Sequence, residues 1–326
     1  MLFQHMTRLA ALMLAPFLLN GAAEKITTGP PKVVVETGAR EGPSWDPFTS
    51  TLYFVGGNHV GKLSADGKVS TFRDDAKGAN GSLVDPEGRV LATEASGRRV
   101  TRTEKDGSLT VLADSYDGKK LNSPNDLSID SKGRIYFTDP RYGPMTDMEI
   151  LDEKGQPVEG VYRIDAPGKV TRIITHEVER PNGILVTPDD KYLYVADNYN
   201  NRIGGARKLY RFNLKADGTI VPSSRKLIFD WKTGRGPDGF RIDSRGRLYV
   251  AAGRNTPSKW ETVDEFKGGL YIISPGGKLL EFIPLPKDET TNCSFGGADL
   301  KTLYITSGNQ LWSVPVSTPG VVPAKR

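Results

Sequence analysis

The stretch Asp130-Ser131-Lys132-Gly133-Arg134-Ile135-Tyr136-Phe137 decides the fold, because it recurs. Asp243-Ser244-Arg245-Gly246-Arg247-Leu248-Tyr249-Val250 and Asp85-Pro86-Glu87-Gly88-Arg89-Val90-Leu91-Ala92 repeat it closely. Asp46-Pro47-Phe48-Thr49-Ser50-Thr51-Leu52-Tyr53-Phe54, Pro188-Asp189-Asp190-Lys191-Tyr192-Leu193-Tyr194-Val195 and Ala298-Asp299-Leu300-Lys301-Thr302-Leu303-Tyr304-Ile305 are looser copies. Each is a polar turn followed by a short strand of β-branched and aromatic residues. Leu52, Val90, Ile135, Leu193, Leu248 and Leu303 align, with spacings of 38, 45, 58, 55 and 55 residues. Self-similarity at about 40–50 residues is the mark of a propeller.

A second hairpin lies between consecutive copies. Lys62-Leu63-Ser64-Ala65-Asp66-Gly67, Arg102 to Gly107, Tyr162 to Gly168, Tyr210 to Asn213 and Tyr271 to Gly276 are strands running into turns, and Leu311-Trp312-Ser313-Val314 serves the last repeat. Two hairpins per repeat make a four-stranded antiparallel blade. The sequence therefore predicts an all-β, six-bladed β-propeller over a single domain, residues 24–326. Lys32-Val33-Val34-Val35-Glu36 is a lone strand before the first repeat, suited to completing the last blade and closing the ring. Two long gaps, 141–158 and 254–267, are expected to be lids or binding loops.

Outside this region, Arg8 precedes the apolar run Leu9–Leu19, and Asn20-Gly21-Ala22-Ala23 follows. That order predicts a secretory signal over residues 1–23, and so an exported, periplasmic or secreted protein with no membrane attachment after cleavage. The 326 residues carry 44 Lys and Arg against 39 Asp and Glu, a net +5 spread without basic runs. Nucleic acid is therefore not an expected partner. The single cysteine, Cys293, excludes an intramolecular disulfide and any Cys-based zinc cluster. With only three histidines (His5, His59 and His176), a Ser–His–Asp triad is a poor candidate. His59 follows the first inner strand and is a candidate for the channel.

Ten or eleven residues before each aligned position stands a small polar motif: Glu41-Gly42-Pro43, Asn80-Gly81, Pro124-Asn125-Asp126, Pro181-Asn182-Gly183, Pro237-Asp238-Gly239 and Thr291-Asn292-Cys293. Six-fold repetition puts Glu41, Asn80, Asn125, Asn182, Asp238 and Asn292 on one ring at the mouth of the central channel. Two carboxylates among amide oxygens describe a hard-cation site. Ca2+ suits it best, with Mg2+ a stricter alternative; Zn2+ more usually recruits imidazole or thiolate.

The ordered succession of Glu41-Gly42-Pro43-Ser44-Trp45, Leu121 to Leu127, Tyr136 to Gly143, Arg180-Pro181-Asn182-Gly183, Tyr194-Val195-Ala196-Asp197, Pro237-Asp238-Gly239 and Thr291 to Gly297 resembles the gluconolactonase-like family that includes regucalcin. The resemblance spans about Gly38 to Leu311. It implies a six-bladed propeller whose divalent metal (Ca2+, or Zn2+, Mn2+ or Mg2+) is held by Glu41, Asn182 and Asp238. Asn125 would lie near metal and substrate, and Asp238 would be the catalytic carboxylate, as base or as water-orienting group. Asn80, His59, Tyr142 and Asn292 are the further substrate-binding candidates. Ser123 stands where regucalcin-type members carry an arginine that contacts sugar hydroxyls. The implied function is a metal-dependent lactonase acting on a sugar lactone or related ester, working as a monomer or weak homodimer. Alternatives are an organophosphate or aryl-ester hydrolase, and a non-catalytic exported propeller that binds a protein or glycan.

Overall fold

The computed structural model describes residues 25–142 and 145–323. The expected signal at 1–23 lies outside these residues. Six four-stranded antiparallel sheets are present, and their order shows the predicted propeller. Five blades take their strands consecutively, over residues 41–73, 79–113, 127–174, 181–230 and 240–284. The sixth combines Thr290–Gly296, Thr302–Ser307 and Gln310–Pro315 with Lys32–Val35 from the start of the chain. Lys32 sits opposite Ser313 and Val35 opposite Leu311, so the first strand of the chain closes the ring. Among the described residues the one helical piece is the 3-10 turn Met145–Asp147, and no helix is long and apolar enough to cross a membrane.

The repeat that betrayed the fold has a local physical cause. Asp130 Oδ1 accepts the backbone N–H groups of Lys132 and Arg134, and Oδ2 pairs with Arg134 Nε at 2.6 Å. Asp85 does the same for Glu87, Arg89 and the Arg89 Nε, and Asp243 for Arg245, Arg247 and the Arg247 Nε. Each Asp thus caps its own turn and neutralises the arginine four residues on. Gly133 takes φ +79°, which only glycine adopts without strain.

After each turn the second strand is buried on both faces, because neighbouring blades press on it from either side. Leu52, Phe54, Leu91, Phe137, Leu193, Val195, Leu248, Val250, Leu303 and Ile305 are all within 1% of fully buried. Aromatic contacts join blades: Tyr249 meets Phe295 edge-on with centroids 4.9 Å apart. Trp45 stacks on Tyr304 at 6.1 Å, so it belongs to this packing. The first strand of each blade lies innermost and touches the first strands of its neighbours. At the end bearing the Asp turns, the channel is floored by Val321, Val322 and Pro323. Val321 N–H is bonded to Ile242 O at 3.1 Å. The other end remains as the mouth.

Candidate metal centre at the channel mouth

The six ring positions form a closed circuit of contacts. Asn80 Nδ2 donates to Asn125 O at 3.3 Å. Thr138 Oγ1, packed behind Asn125, donates to Asn182 O at 2.7 Å. A side chain on Gly183 would overlap Asp238 O, and one on Gly239 would overlap the Asn292 amide. Asn292 Nδ2 donates to Glu41 Oε2 at 3.2 Å, and Gly42 abuts Asn80 O. The glycines after the ring residues are therefore not turn formers. They are places where the next blade's backbone comes too close for a Cβ.

Blades three and four hold their ring asparagines with one device. Asp139 ends a second strand, and its two oxygens accept Asn122 N–H and Ser123 N–H, both at 2.8 Å. Asp197 does the same for Glu179 N–H at 2.9 Å and Arg180 N–H at 3.0 Å. These amides stand three and two residues before Asn125 and Asn182 respectively. Both acids are structural. Burial pushes Asp139 up to about 7 and Asp197 up to about 6, against the hydrogen bonds that favour their charge.

Four ring residues are left with an oxygen to offer. Asn125 Oδ1 and Asn182 Oδ1 are buried with no hydrogen-bond partner among the described residues. Glu41 Oε2 is taken by Gly42 N–H and Asn292, leaving Oε1. Asp238 Oδ2 is held by Arg235, leaving Oδ1. A buried oxygen without a donor is costly, so a pair of such oxygens asks for a ligand. The acids tell the same story. Burial, then the charges of Asp238 and Asp126, raise Glu41 well above the ordinary carboxylate range. Burial pushes Asp238 up to about 6 in spite of Arg235. A cation among them would relieve both strains.

The other two ring positions act differently. Asn292 Oδ1 accepts Cys293 N–H at 2.9 Å, so its oxygen is spent and its amide serves to orient Glu41. Asn80 braces Asn125 through the backbone. Tyr142, from the 141–158 loop, reaches the ring: Asn182 Nδ2 donates to its hydroxyl at 2.8 Å. His59 lies in the tight turn after Thr51–Val55 with its ring against Gly56. Among the described residues it makes no hydrogen bond to the ring residues. Cys293 is buried with its thiol on Tyr249 O, and burial pushes it up to about 12, so it is inert at neutral pH.

Sequence reasoning missed Arg235, Asp126 and Arg241. Arg235 is 3% exposed and also donates to Thr290 O at 3.0 Å. Its only signal was an arginine three residues before the ring acid. Asp126 occupies the slot that is glycine in four other blades, a break in the repeat. Its Oδ2 faces Arg241 Nη1 at 3.6 Å inside the channel.

Among the described residues no three His, Cys, Asp or Glu side chains gather into a metal-holding group. A cation here would rest on two carboxylates and two amide oxygens, each from a different blade. That donor set is all oxygen, which fits Ca2+ and suits thiophilic or imidazole-seeking metals poorly.

Comparison with known proteins agrees with this architecture. The chain is 30% identical over 302 residues to a gluconolactonase of Zymomonas mobilis, covering 86% of this chain and 79% of that protein. It is 28% identical to a 6-deoxy-6-sulfogluconolactonase of Pseudomonas putida, covering 83% of each. The solved structure of a gluconolactonase from Xanthomonas campestris superposes with a TM-score of 0.71 at 28% identity, covering 88% of this chain and 89% of that one. Residues 39–309 match the model of the SMP-30/gluconolactonase/LRE-like region, which runs through all six blades and every ring position, and the chain belongs to that family.

Proposed function

We propose that this protein is a lactone hydrolase that uses one divalent cation, Ca2+ by donor chemistry, at the channel mouth. The observation that carries the reading is the set of four oxygens left open on Glu41, Asn125, Asn182 and Asp238, two of them buried amide oxygens without donors. The gluconolactonase relatives supply the reaction class. The segment 1–23 supports export.

Lactone hydrolysis adds water to the carbonyl carbon and breaks the ring C–O bond, giving a hydroxy acid. When bound, the cation supplies a Lewis acid for the carbonyl oxygen. Glu41, Asn125, Asn182 and Asp238 would hold it. Asp238 orients the attacking water through Oδ1 and takes its proton, while Arg235 fixes Oδ2 and so the plane of the carboxylate. Asn292 keeps Glu41 turned inward. Thr93, Thr138 and the Asp139 and Asp197 clamps fix the backbone that carries the asparagines.

The test is a panel of lactones, aryl esters and phosphotriesters assayed on chelator-stripped protein and again with Ca2+, Mn2+, Mg2+ or Zn2+. Lactone hydrolysis that vanishes on stripping and returns with a divalent ion is the expected result. Hydrolysis untouched by stripping sinks the metal; hydrolysis of phosphotriesters alone reassigns the substrate; no hydrolysis of any class favours a binding propeller.

A further inference from the structure

Blades two, three and four each place an arginine at the same point of their third strand. Arg102 stands opposite Leu91, Arg163 opposite Tyr136 and Arg211 opposite Tyr194. In the first two of these blades an acid stands two residues on and takes the charge. Arg102 Nη2 meets Glu104 at 2.7 Å, and Arg163 holds Asp165 through two bonds of 2.8 and 2.9 Å. In blade four that position is Asn213, which is exposed and carries no charge. Among the described residues Arg211 has no carboxylate partner, and its Nε is buried without a hydrogen-bond acceptor. Its guanidinium carbon lies 4.2 Å from the Tyr192 ring centroid, and the group reaches the Tyr194 hydroxyl. Stacking fixes the plane of the guanidinium but leaves its charge unanswered.

Arg211 borders a cavity of about 400 Å3 between blades four and five, at the end bearing the Asp turns and so opposite the mouth. Pro188, Tyr192, Ile242, Pro275 and Val321 give the cavity an apolar lining. The acids on its border already have partners: Asp189 meets Lys191 at 3.1 Å and Thr187 at 2.7 Å, and Asp243 meets Arg247 at 2.6 Å. The charge left over in this cleft is therefore positive. We propose that the cleft is a second binding site, apart from the channel mouth, for a small monocarboxylate with an apolar body. The guanidinium fork matches a carboxylate, with the Tyr194 hydroxyl beside it. The apolar body takes the lining out of water, and the volume is that of an ordinary small-molecule pocket. A polyhydroxylated acid fits poorly, because its hydroxyls would lose water against an apolar wall. Such a site is independent of lactone hydrolysis at the mouth.

The experiment is a calorimetric titration of the protein with 3-phenylpropanoate, before and after chelation, with 3-phenylpropanamide and gluconate as controls. We expect one-to-one binding with a Kd of about 1 mM or tighter, unchanged by the chelator. The neutral amide and gluconate should each bind about tenfold or more weakly by comparison. Asn213→Asp supplies the acid that blades two and three carry at this position. On an exposed residue it should leave the thermal midpoint close to wild type, yet weaken 3-phenylpropanoate by about tenfold or more. Arg211→Gln should weaken it to the same degree. Absence of saturable binding, equal binding of the amide, or an affinity unmoved by Asn213→Asp overturns the site. Binding that chelation abolishes belongs to the mouth and overturns it as well.

Discussion

The two ends of the channel use the same residue types to opposite ends. On the turn face, Asp85, Asp130 and Asp243 are buried, yet each has an arginine four residues on and two backbone N–H groups of its own turn. Each of these three charges is answered within its own turn. At the mouth, Glu41 and Asp238 come from blades far apart in sequence, and burial raises both while Glu41 is pushed further by Asp238. Neighbouring asparagines leave their oxygens without donors. An acid answered by its own strand is a folding device; an acid left in debt beside another acid is a binding device.

That contrast can be broken most sharply at Asp238. Asp238→Asn should lower kcat/KM on the best lactone by about 10³-fold or more, within the range a positioned acid–base group contributes. Its thermal midpoint should stay close to wild type. Retained turnover would move the chemistry elsewhere. Next in size is Glu41→Gln, which keeps the shape and removes one charge from the donor set. Affinity for Ca2+, read by calorimetry, should fall by about 10- to 100-fold; an unchanged affinity would exclude Glu41 as a ligand.

Asp243→Ala tests the other end. It removes the cap and leaves Arg247 buried without its partner, so unfolding in denaturant should become easier by about 1–3 kcal/mol. Lactone turnover should hold at wild-type level, because nothing on the turn face reaches the mouth. A loss of activity with stability intact would blur the division drawn here. The smallest effect is in proton counts. A cation at the mouth would bind the ionised forms of Glu41 and Asp238, whose carboxyls are raised, Asp238 to about 6. Binding near pH 6 should therefore release protons, and affinity should weaken as the medium is made more acid. Calorimetry in two buffers of different ionisation enthalpy reads the release directly; none would mean that both acids are already ionised.

The blades and the ring were legible because propeller repetition turns position in sequence into position about an axis. Six aligned strands place six residues at one height whatever the connecting loops do. What stayed hidden were partners that do not repeat. Arg235 occurs in one blade, and only the folded loop shows its guanidinium on Asp238. The roles within the ring were also hidden: Asn125 and Asn292 look equivalent in sequence, yet the first has a free oxygen and the second has given its oxygen to Cys293 N–H.

By itself the sequence determined the all-β propeller, its six blades, the closing strand and the level at which the ring's acids and amides gather. These follow from local turn chemistry and from a repeat long enough to make one four-stranded sheet. The tertiary structure alone decided which of the six oxygens remain open, which arginine guards Asp238, and that Tyr142 leans from its loop onto Asn182. Those choices depend on contacts between blades, and the chain brings such residues together only after the ring has closed and water has been driven from between them.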